Sequence, residues 1–211
     1  MFKTEKSRFF SRQTFAVELL VVAFALYVSV FLNGALWEAL LHSQRDIWAP
    51  QTWAFLLTTA IGITGFQVAF ISLFAWGRLA KFSVAVFALI AAVTHYFSAQ
   101  YKVMFDTSMI RNVLETHLQE SSELITLKAA GLVLLYLLPV ALLLRFYRLP
   151  KVSLGRQLPA KVFTVVVGLG VLVAAAGSQF KSLSSAIRNH GEIRHLVLPA
   201  SPVLAFARSI R

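Results

Sequence analysis

The chain lacks cysteine and has few acidic residues. Its 211 residues include no Cys and only nine Asp or Glu, and charged residues make up 14% of the sequence, against about a quarter in an average soluble domain. Without cysteine the chain has no thiolate metal site, no cysteine nucleophile and no internal disulfide. The low charge indicates that this is not an ordinary water-soluble domain.

Apolar residues take the place of the missing charge, because 58% of the sequence is hydrophobic and falls mainly in five long blocks. A hydrocarbon core about 30 Å thick requires roughly 20 helical residues per crossing, so each block is long enough to span a bilayer. The predicted helices are at about 15–41, 53–76, 82–100, 124–144 and 162–177. The predicted fold class is therefore all-α: a polytopic membrane protein with five transmembrane helices.

The predicted domain organisation follows from these blocks. The first block is too long for the apolar core of a cleaved signal peptide, which indicates an uncleaved first helix. Residues 1–180 are interpreted as a transmembrane domain, with an additional amphipathic helix at about 107–122 on the outer surface. Residues 181–211 are moderately polar and are interpreted as a linker on the outer side.

Several polar residues lie near the ends of the blocks. Glu18 lies near the start of the first block, Asn33 and Glu38 lie near its end, and Lys128 lies near the start of the fourth. Side chains at these positions can reach headgroups or water rather than the hydrocarbon centre. We therefore interpret them as interfacial residues.

Small residues predict close helix contacts in two blocks. The second block has no charged residue, and its Gly62, Gly65 and Gln67 predict a face packed against another helix. In the fifth block, Gly170 and Ala174 have a spacing that also permits close contact.

The distribution of basic residues predicts the orientation of the chain. With five crossings and a cytoplasmic N-terminus, the inner segments contain Lys3, Lys6, Arg8, Arg12, Arg78, Lys81, Arg145, Arg148, Lys151, Arg156 and Lys161. The short outer loops contain Arg45, Lys102, Arg111 and Lys128. This asymmetry follows the positive-inside rule. The net charge of +11 is therefore explained by membrane topology, and a nucleic-acid partner is not predicted.

The longest polar interval, from Tyr96 to Glu123, is the candidate functional segment. Its apolar residues form a helical stripe, which predicts a helix lying along the membrane surface. The stripe consists of Met109, Ile110, Val113, Leu114 and Leu118. Asp106 lies just before this helix and is a suitable N-cap residue.

A polar row follows the other side of this predicted helix. Asn112, Thr116 and Glu120 are spaced at i, i+4 and i+8, so they share one face. A carboxylate with neighbouring amide and hydroxyl groups can hold an ammonium group by charge and hydrogen bonds; a solvated helix face is the alternative. His95 and His117 lie on separate elements, and headgroup or solvent contacts are favoured for them over a metal site, so no metal site is predicted.

These residues, in their order between the third and fourth helices, resemble the membrane domain of the phosphoethanolamine transferases that modify lipid A. This family includes the mobile colistin resistance enzymes. The resemblance rests on Tyr96, Phe97, Tyr101, Asp106, Met109, Ile110, Asn112, Thr116 and Glu120, and on the tail RNHGEIRHLVLP. It departs at Lys102, where a glycine is common, at His117, where an acid often follows the threonine, and at Leu198, where an asparagine often precedes the proline.

The resemblance implies a location in the inner membrane of a Gram-negative bacterium, with the C-terminus in the periplasm. In the family a periplasmic domain follows, and its zinc-activated threonine moves phosphoethanolamine from phosphatidylethanolamine to lipid A. No clustered ligand set follows Gly177, so no catalytic residue is predicted here, the zinc is expected in the missing catalytic domain, and this chain alone is expected to be inactive.

The resemblance also assigns roles to residues of this chain. Asn112, Thr116 and Glu120, with Asp106, are the positions expected to bind the ethanolamine headgroup of the donor lipid. Basic side chains suit phosphate, so we expect a second group of residues to attract acceptor phosphates and to dock the catalytic domain. This second group consists of Lys181, Arg188 and Arg194.

Two other classes of function stay open on the sequence. A small transporter would place ionisable residues near the midplane, whereas those of this chain lie near block ends. A non-catalytic scaffold would use the outer helix to bind a protein partner.

Overall fold

The computed structural model describes residues 15–44, 46–102, 109, 126–150, 153–189 and 196–209. Eight α-helices contain most of these residues. They are α1 (Ala16–Tyr27), α2 (Gly34–His42), α3 (Pro50–Ser72), α4 (Ala80–Tyr101), α5 (Leu127–Phe146), α6 (Leu154–Ser178), α7 (Phe180–Asn189) and α8 (Ala200–Ser209). A π-helical turn, Val28–Leu32, continues α1, and a short 3-10 turn, Gly77–Leu79, precedes α4. The all-helical architecture predicted from the apolar blocks is confirmed in the part of the chain that the structure describes.

The first apolar block is a broken helix rather than the continuous one predicted over 15–41. The π turn ends at Asn33, whose backbone leaves the helical region with φ −100° and ψ 32°, and α2 begins at Gly34. The two halves differ in direction by 55°. Asn33 Nδ2 donates to the carbonyl of Val28 at 2.9 Å, because a π turn frees carbonyls that a regular helix would occupy.

Within the described residues, four helices are long and apolar enough to cross a membrane: α3, α4 with its preceding turn, α5 and α6. The bent pair of α1 and α2 adds a fifth if the two halves form one span. Helix α6 begins at Leu154 rather than near residue 162. Its first turns carry Arg156, Gln157 and Lys161, and hydropathy alone detects only the apolar part of such a helix.

Helix α1 lies at the centre of the bundle. Its Leu20, Val21 and Phe24 are fully buried and belong to a core that includes Ile71 of α3 and Val84 of α4. Helix α5 contacts mainly α4 and is largely exposed to the surroundings, with only two buried residues. The bundle is therefore organised around the first apolar block.

Helices α3 and α6 form the most extensive helix contact. A Cβ atom on Gly65 would lie 2.7 Å from the carbonyl oxygen of Gly168, and one on Gly62 would lie 2.8 Å from Cβ of Ala175. The predicted close contact at Gly62 and Gly65 is confirmed. The prediction for Gly170 is wrong, because nothing lies within 4 Å of its added Cβ; Gly168 provides the contact instead.

Residues 196–209 return to the bundle. Leu198 is buried in the central core, and Val203 of α8 packs against the same core. Ala200, Pro202 and Ala205 of α8 are buried. The tail predicted as a linker therefore contains two helices, α7 and α8, and part of it packs on the membrane helices.

Candidate functional site

A buried ion pair connects α1 and α6. Lys161 Nζ lies 2.8 Å from Glu18 Oε1, and both side chains are less than 5% exposed. Ser72 Oγ of α3 donates to Glu18 Oε2 at 2.7 Å. Both carboxylate oxygens are thus engaged, and the pair joins three helices. Interpreting Glu18 as an interfacial residue was wrong, because the early start of α6 places Lys161 beside it inside the bundle.

The lysine has further partners at the C-terminal end of α3. Lys161 Nζ donates to the carbonyl oxygen of Ala75 and lies 5.2 Å from the ring centroid of Trp76, within the range of a cation–π contact. The Gly77 amide donates to Gln157 Oε1 at 2.9 Å. Ionisable groups inside a membrane are costly unless they are paired, and this pair has several compensating contacts.

A second buried cluster, formed by Asn33, Gln67 and the backbone of Leu198, is called here the polar clamp. Asn33 Oδ1 accepts from the Leu198 amide at 2.9 Å. Gln67 Nε2 donates to the Leu198 carbonyl oxygen. Asn33 and Gln67 are at most 1% exposed. One tail residue therefore has both of its backbone polar groups satisfied by side chains from two membrane helices.

The polar clamp is supported by neighbouring hydroxyl groups. Ser29 Oγ donates to Gln67 Oε1 at 2.8 Å, and Thr64 Oγ1 donates to Ser29 Oγ at 2.8 Å. Trp37 Nε1 donates to the Ser29 carbonyl at 2.8 Å. These bonds fix the orientation of the Gln67 amide, so that its nitrogen faces Leu198.

The C-terminal end of α4 lies directly before the predicted headgroup-binding segment. Tyr101 stacks on Phe97 at a centroid distance of 5.7 Å and contacts Tyr96 edge-on at 6.4 Å. Lys102 ends the helix in the left-handed conformation with φ 54°, and its Nζ lies 2.6 Å from Glu38 Oε2. A left-handed helix end favours glycine, so Lys102 holds a backbone conformation that is unfavourable for a residue with a side chain.

The predicted headgroup-binding residues lie outside the described residues, and their roles stay predictions. These residues are Asp106, Asn112, Thr116 and Glu120; Arg194 and His117 lie outside as well. Lys181 and Arg188 lie on α7, and both side chains are exposed. Their separation of seven residues places them on one face of that helix.

An apolar cavity of about 140 Å³ lies beneath α7. Leu183 and Ile187 of α7 line it, together with Leu36 of α2, Ile63 of α3 and Ala175 of α6. A larger apolar groove of about 490 Å³ runs between α1, α3 and α6, and its lining includes Glu18. Helix α7 therefore exposes Lys181 and Arg188, while its apolar residues Leu183 and Ile187 line the smaller cavity.

His95 does not belong to a metal cluster in the described part of the chain. Its ring meets the ring of Tyr136 edge-on at 4.8 Å, and no group of three or more potential His, Asp or Glu ligands is found among the described residues. A hydrogen bond with the Leu32 backbone and this aromatic contact hold His95 in place.

Sequence reasoning missed the buried long-range contacts of Asn33 and Lys161. Asn33 was interpreted as interfacial and Lys161 as one of the basic residues of the inner segments, and their partners Leu198 and Glu18 are distant in sequence. A polar residue inside an apolar block was the available signal, because such residues in membranes usually find partners within the protein.

The fold and these buried polar contacts define a helical membrane domain. Residues 63–211 match the family described as phosphoethanolamine transferase EptA/EptB, so the chain belongs to this family and corresponds to its N-terminal membrane domain. It is an integral membrane protein.

Sequence similarity to individual phosphoethanolamine transferases agrees with this assignment. The chain is 24% identical over 200 residues to phosphatidylethanolamine transferase Mcr-1 from Escherichia coli, covering 93% of this chain and 36% of the relative. It is 25% identical over 195 residues to phosphoethanolamine transferase EptA from Escherichia coli K12, covering 89% and 34%. The chain therefore spans about a third of the length of these relatives.

A solved structure shares the fold. The integral membrane lipooligosaccharide phosphoethanolamine transferase A (EptA) from Neisseria meningitidis superposes with a TM-score of 0.82 at 20% sequence identity. The match covers 91% of this chain and 36% of that protein. The two proteins therefore share the helical arrangement over nearly the whole chain.

Proposed function

We propose that this chain is the membrane-anchoring and lipid-binding domain of an enzyme that transfers phosphoethanolamine from phosphatidylethanolamine to lipid A. The observation that carries the proposal is the family match over residues 63–211, which includes both the predicted donor-site segment and the tail. In this proposal the transfer chemistry, with its zinc, belongs to a periplasmic catalytic domain, and the present chain binds the substrates.

The proposed donor site is formed by Asn112, Thr116 and Glu120, with Asp106, which is predicted from the sequence to precede the same helix. The carboxylate of Glu120 pairs with the ammonium group of phosphatidylethanolamine, and the amide and hydroxyl groups hydrogen-bond the headgroup. The aromatic cluster at the end of α4 supports this proposal, because Tyr101 and its neighbours lie directly before the segment and aromatic rings favour the headgroup level.

The proposed acceptor contacts are Lys181, Arg188 and Arg194. Lys181 and Arg188 lie on the exposed face of α7, and this helix contains no acidic residue. Lysine and arginine bind phosphate by charge and hydrogen bonds. The apolar cavity beneath α7 supports a lipid rather than a soluble anion as the ligand.

The donor site is tested by a binding titration in detergent micelles. Phosphatidylethanolamine is compared with phosphatidylglycerol for the wild type, Glu120→Gln and the control Glu38→Gln, which removes an exposed carboxylate paired with Lys102. We expect Glu120→Gln to weaken binding of the ethanolamine lipid by roughly tenfold, the size of one charge-assisted hydrogen bond. Unchanged preference for that lipid in Glu120→Gln would remove Glu120 from the site.

The acceptor contacts are tested with lipid A in the same micelles. A Lys181→Gln/Arg188→Gln variant is expected to bind lipid A several-fold more weakly, with a strong dependence on salt. Lys128→Gln/Arg145→Gln, which also removes two exposed basic residues, serves as control. Equal loss in the control would show that only the general positive charge of the protein attracts the lipid.

The proposed orientation places the N-terminus in the cytoplasm and the tail in the periplasm of a Gram-negative cell, with the chain in the inner membrane. Because the chain has no cysteine, single cysteines report on sidedness directly. We expect an impermeant maleimide to label Ala207→Cys in intact spheroplasts and Arg78→Cys only after lysis. The reverse labelling pattern would contradict the orientation.

A further inference from the structure

The polar clamp holds a tail residue at the break between α1 and α2. Asn33 ends the π turn and bonds the Val28 carbonyl with its Nδ2, while its Oδ1 accepts from the Leu198 amide. The same side chain therefore caps the broken helix and holds the tail. This dual role connects the bend in the first span with the path of a segment 165 residues later.

The second half of the clamp restrains Leu198 from the other side. Gln67 donates to the Leu198 carbonyl, and its own oxygen accepts from Ser29. Unpaired backbone groups are costly away from water. Leu198 is therefore stable inside the bundle only while Asn33 and Gln67 both hydrogen-bond its backbone. Its side chain adds apolar contacts, because it belongs to the central core.

The position of Leu198 determines where α8 begins. Helix α8 starts at Ala200, only two residues later, and Ala200 and Pro202 are buried. The opposite face of α8 is exposed at Leu204 and Phe206. The start of α8 therefore has little freedom once Leu198 is held.

We propose that Asn33 and Gln67 are positioning residues that fix the direction in which the chain leaves the membrane bundle. They hold the chain just before α8 and so set the position of the polypeptide that follows relative to α3 and α6. The consequence for phosphoethanolamine transfer rests on the proposed function: the clamp would place the catalytic domain at a fixed height and angle over the lipid sites.

The first test measures the order of the tail by pulsed electron spin resonance. Spin labels at Leu57→Cys in α3 and Ala207→Cys in α8 report the tail position, and both sites are exposed. We expect a narrow distance distribution in the otherwise wild-type chain and a clearly broadened one in Asn33→Leu and Gln67→Met. An unchanged narrow distribution in both variants would overturn the proposal.

Two controls separate tail release from general unfolding. Labels at Leu57→Cys and Val166→Cys, on exposed faces of α3 and α6, report the bundle itself and should keep their distribution in the clamp variants. Ser72→Ala also removes a buried polar group of α3, but its hydroxyl bonds Glu18 rather than the tail. This variant should leave the tail distribution narrow. Broadening of the tail distribution in Ser72→Ala as large as that in the clamp variants would contradict a specific role of the clamp.

A pH-dependent variant distinguishes the clamp from simple core filling. In Gln67→Glu, a protonated carboxyl can still donate to the Leu198 carbonyl, whereas the carboxylate cannot. The hydrogen-bond partners of Gln67 are Ser29 and Leu198. The ionisable group beside the clamp is His95 of α4, which lines a small cavity together with Asn33 and Leu198; it is unchanged in Gln67→Met, so that variant shows any effect of its titration on the tail. We expect the tail of this variant to become ordered as the pH falls and released as it rises, with no such change in Gln67→Met; a pH-independent tail in Gln67→Glu would count against the hydrogen bond as the restraint.

A measurement on the unaltered chain covers the case in which the variants do not fold. The Leu198 amide is predicted to exchange its hydrogen at least roughly tenfold more slowly than an unprotected amide, the factor corresponding to one buried hydrogen bond. Exchange at the unprotected rate would overturn the proposal. None of these measurements uses lipid binding. A negative result here would therefore leave the proposed donor site untouched, and that site is tested separately by the lipid titration.

Discussion

Replacing Lys161 with methionine tests the buried ion pair most directly. The ammonium is less than 5% exposed and lies 2.8 Å from Glu18. Its removal leaves a buried carboxylate with only the Ser72 hydroxyl as a partner that the structure shows. Breaking one partner of a buried pair costs about 3–5 kcal/mol, which corresponds to a change of roughly 100-fold or more in the unfolding equilibrium.

The double variant Glu18→Leu/Lys161→Met provides the decisive comparison. An apolar pair of similar volume removes both charges, and such replacements are often neutral or stabilising. We therefore expect the double variant to recover most of the stability lost in Lys161→Met. The Ser72 hydroxyl can then bond a carbonyl of its own helix, as buried hydroxyls in helices commonly do.

The assay is reversible unfolding in mixed micelles of detergent and SDS, followed by tryptophan fluorescence. Lys128→Met, which removes an exposed lysine at the start of α5, is the matched control and should change stability by less than about 0.5 kcal/mol. If Lys161→Met were as stable as this control, or if the double variant were no more stable than the single one, the account of the ion pair would be refuted.

Three further predictions test other features of the bundle in the same assay. Gly168→Ala should destabilise by about 1–3 kcal/mol, since its Cβ would lie 2.5 Å from the Gly65 carbonyl oxygen, whereas Gly170→Ala, with open space around it, should be neutral or slightly stabilising; equal effects would contradict the helix contact. Lys102→Gly should raise stability by up to about 1 kcal/mol by relieving the left-handed backbone, and a clear loss would show that the side-chain contacts of this lysine outweigh the strain. Thr126→Ala should cost about 1 kcal/mol because it removes the N-cap bond of α5, and Thr126→Ser should retain most of it.

Hydropathy predicted the helical class because apolar length is a local property. The predicted blocks correspond to the bent pair α1 and α2 and to α3, α4, α5 and α6. The break at Asn33 was not predicted, since a single polar residue in an apolar block does not by itself distinguish a capped break from an interfacial end. The start of α6 was missed for a related reason: its first turns are polar but helical.

Long-range partners were the main limit of sequence reasoning at the polar clusters. Glu18 and Lys161 both have unremarkable local surroundings, and only the tertiary structure brings them together. Likewise nothing local to Leu198 indicates that Asn33 and Gln67 would bond its backbone. The polar row that begins at Asn112 was derived from helical spacing, whereas its headgroup-binding role was implied by the family resemblance. Both stay predictions because the row lies outside the described residues.

The long sequence separation within the polar clamp has a consequence for biosynthesis. Asn33 is made 165 residues before its partner Leu198, which at about 5–20 residues per second amounts to roughly 8–30 s of translation. Throughout this interval the first helices are in the membrane without the tail that completes their interior. The nascent bundle therefore depends on water, lipid headgroups or the insertion machinery to solvate these amides, and its final helix arrangement is reached only after Leu198 has left the ribosome.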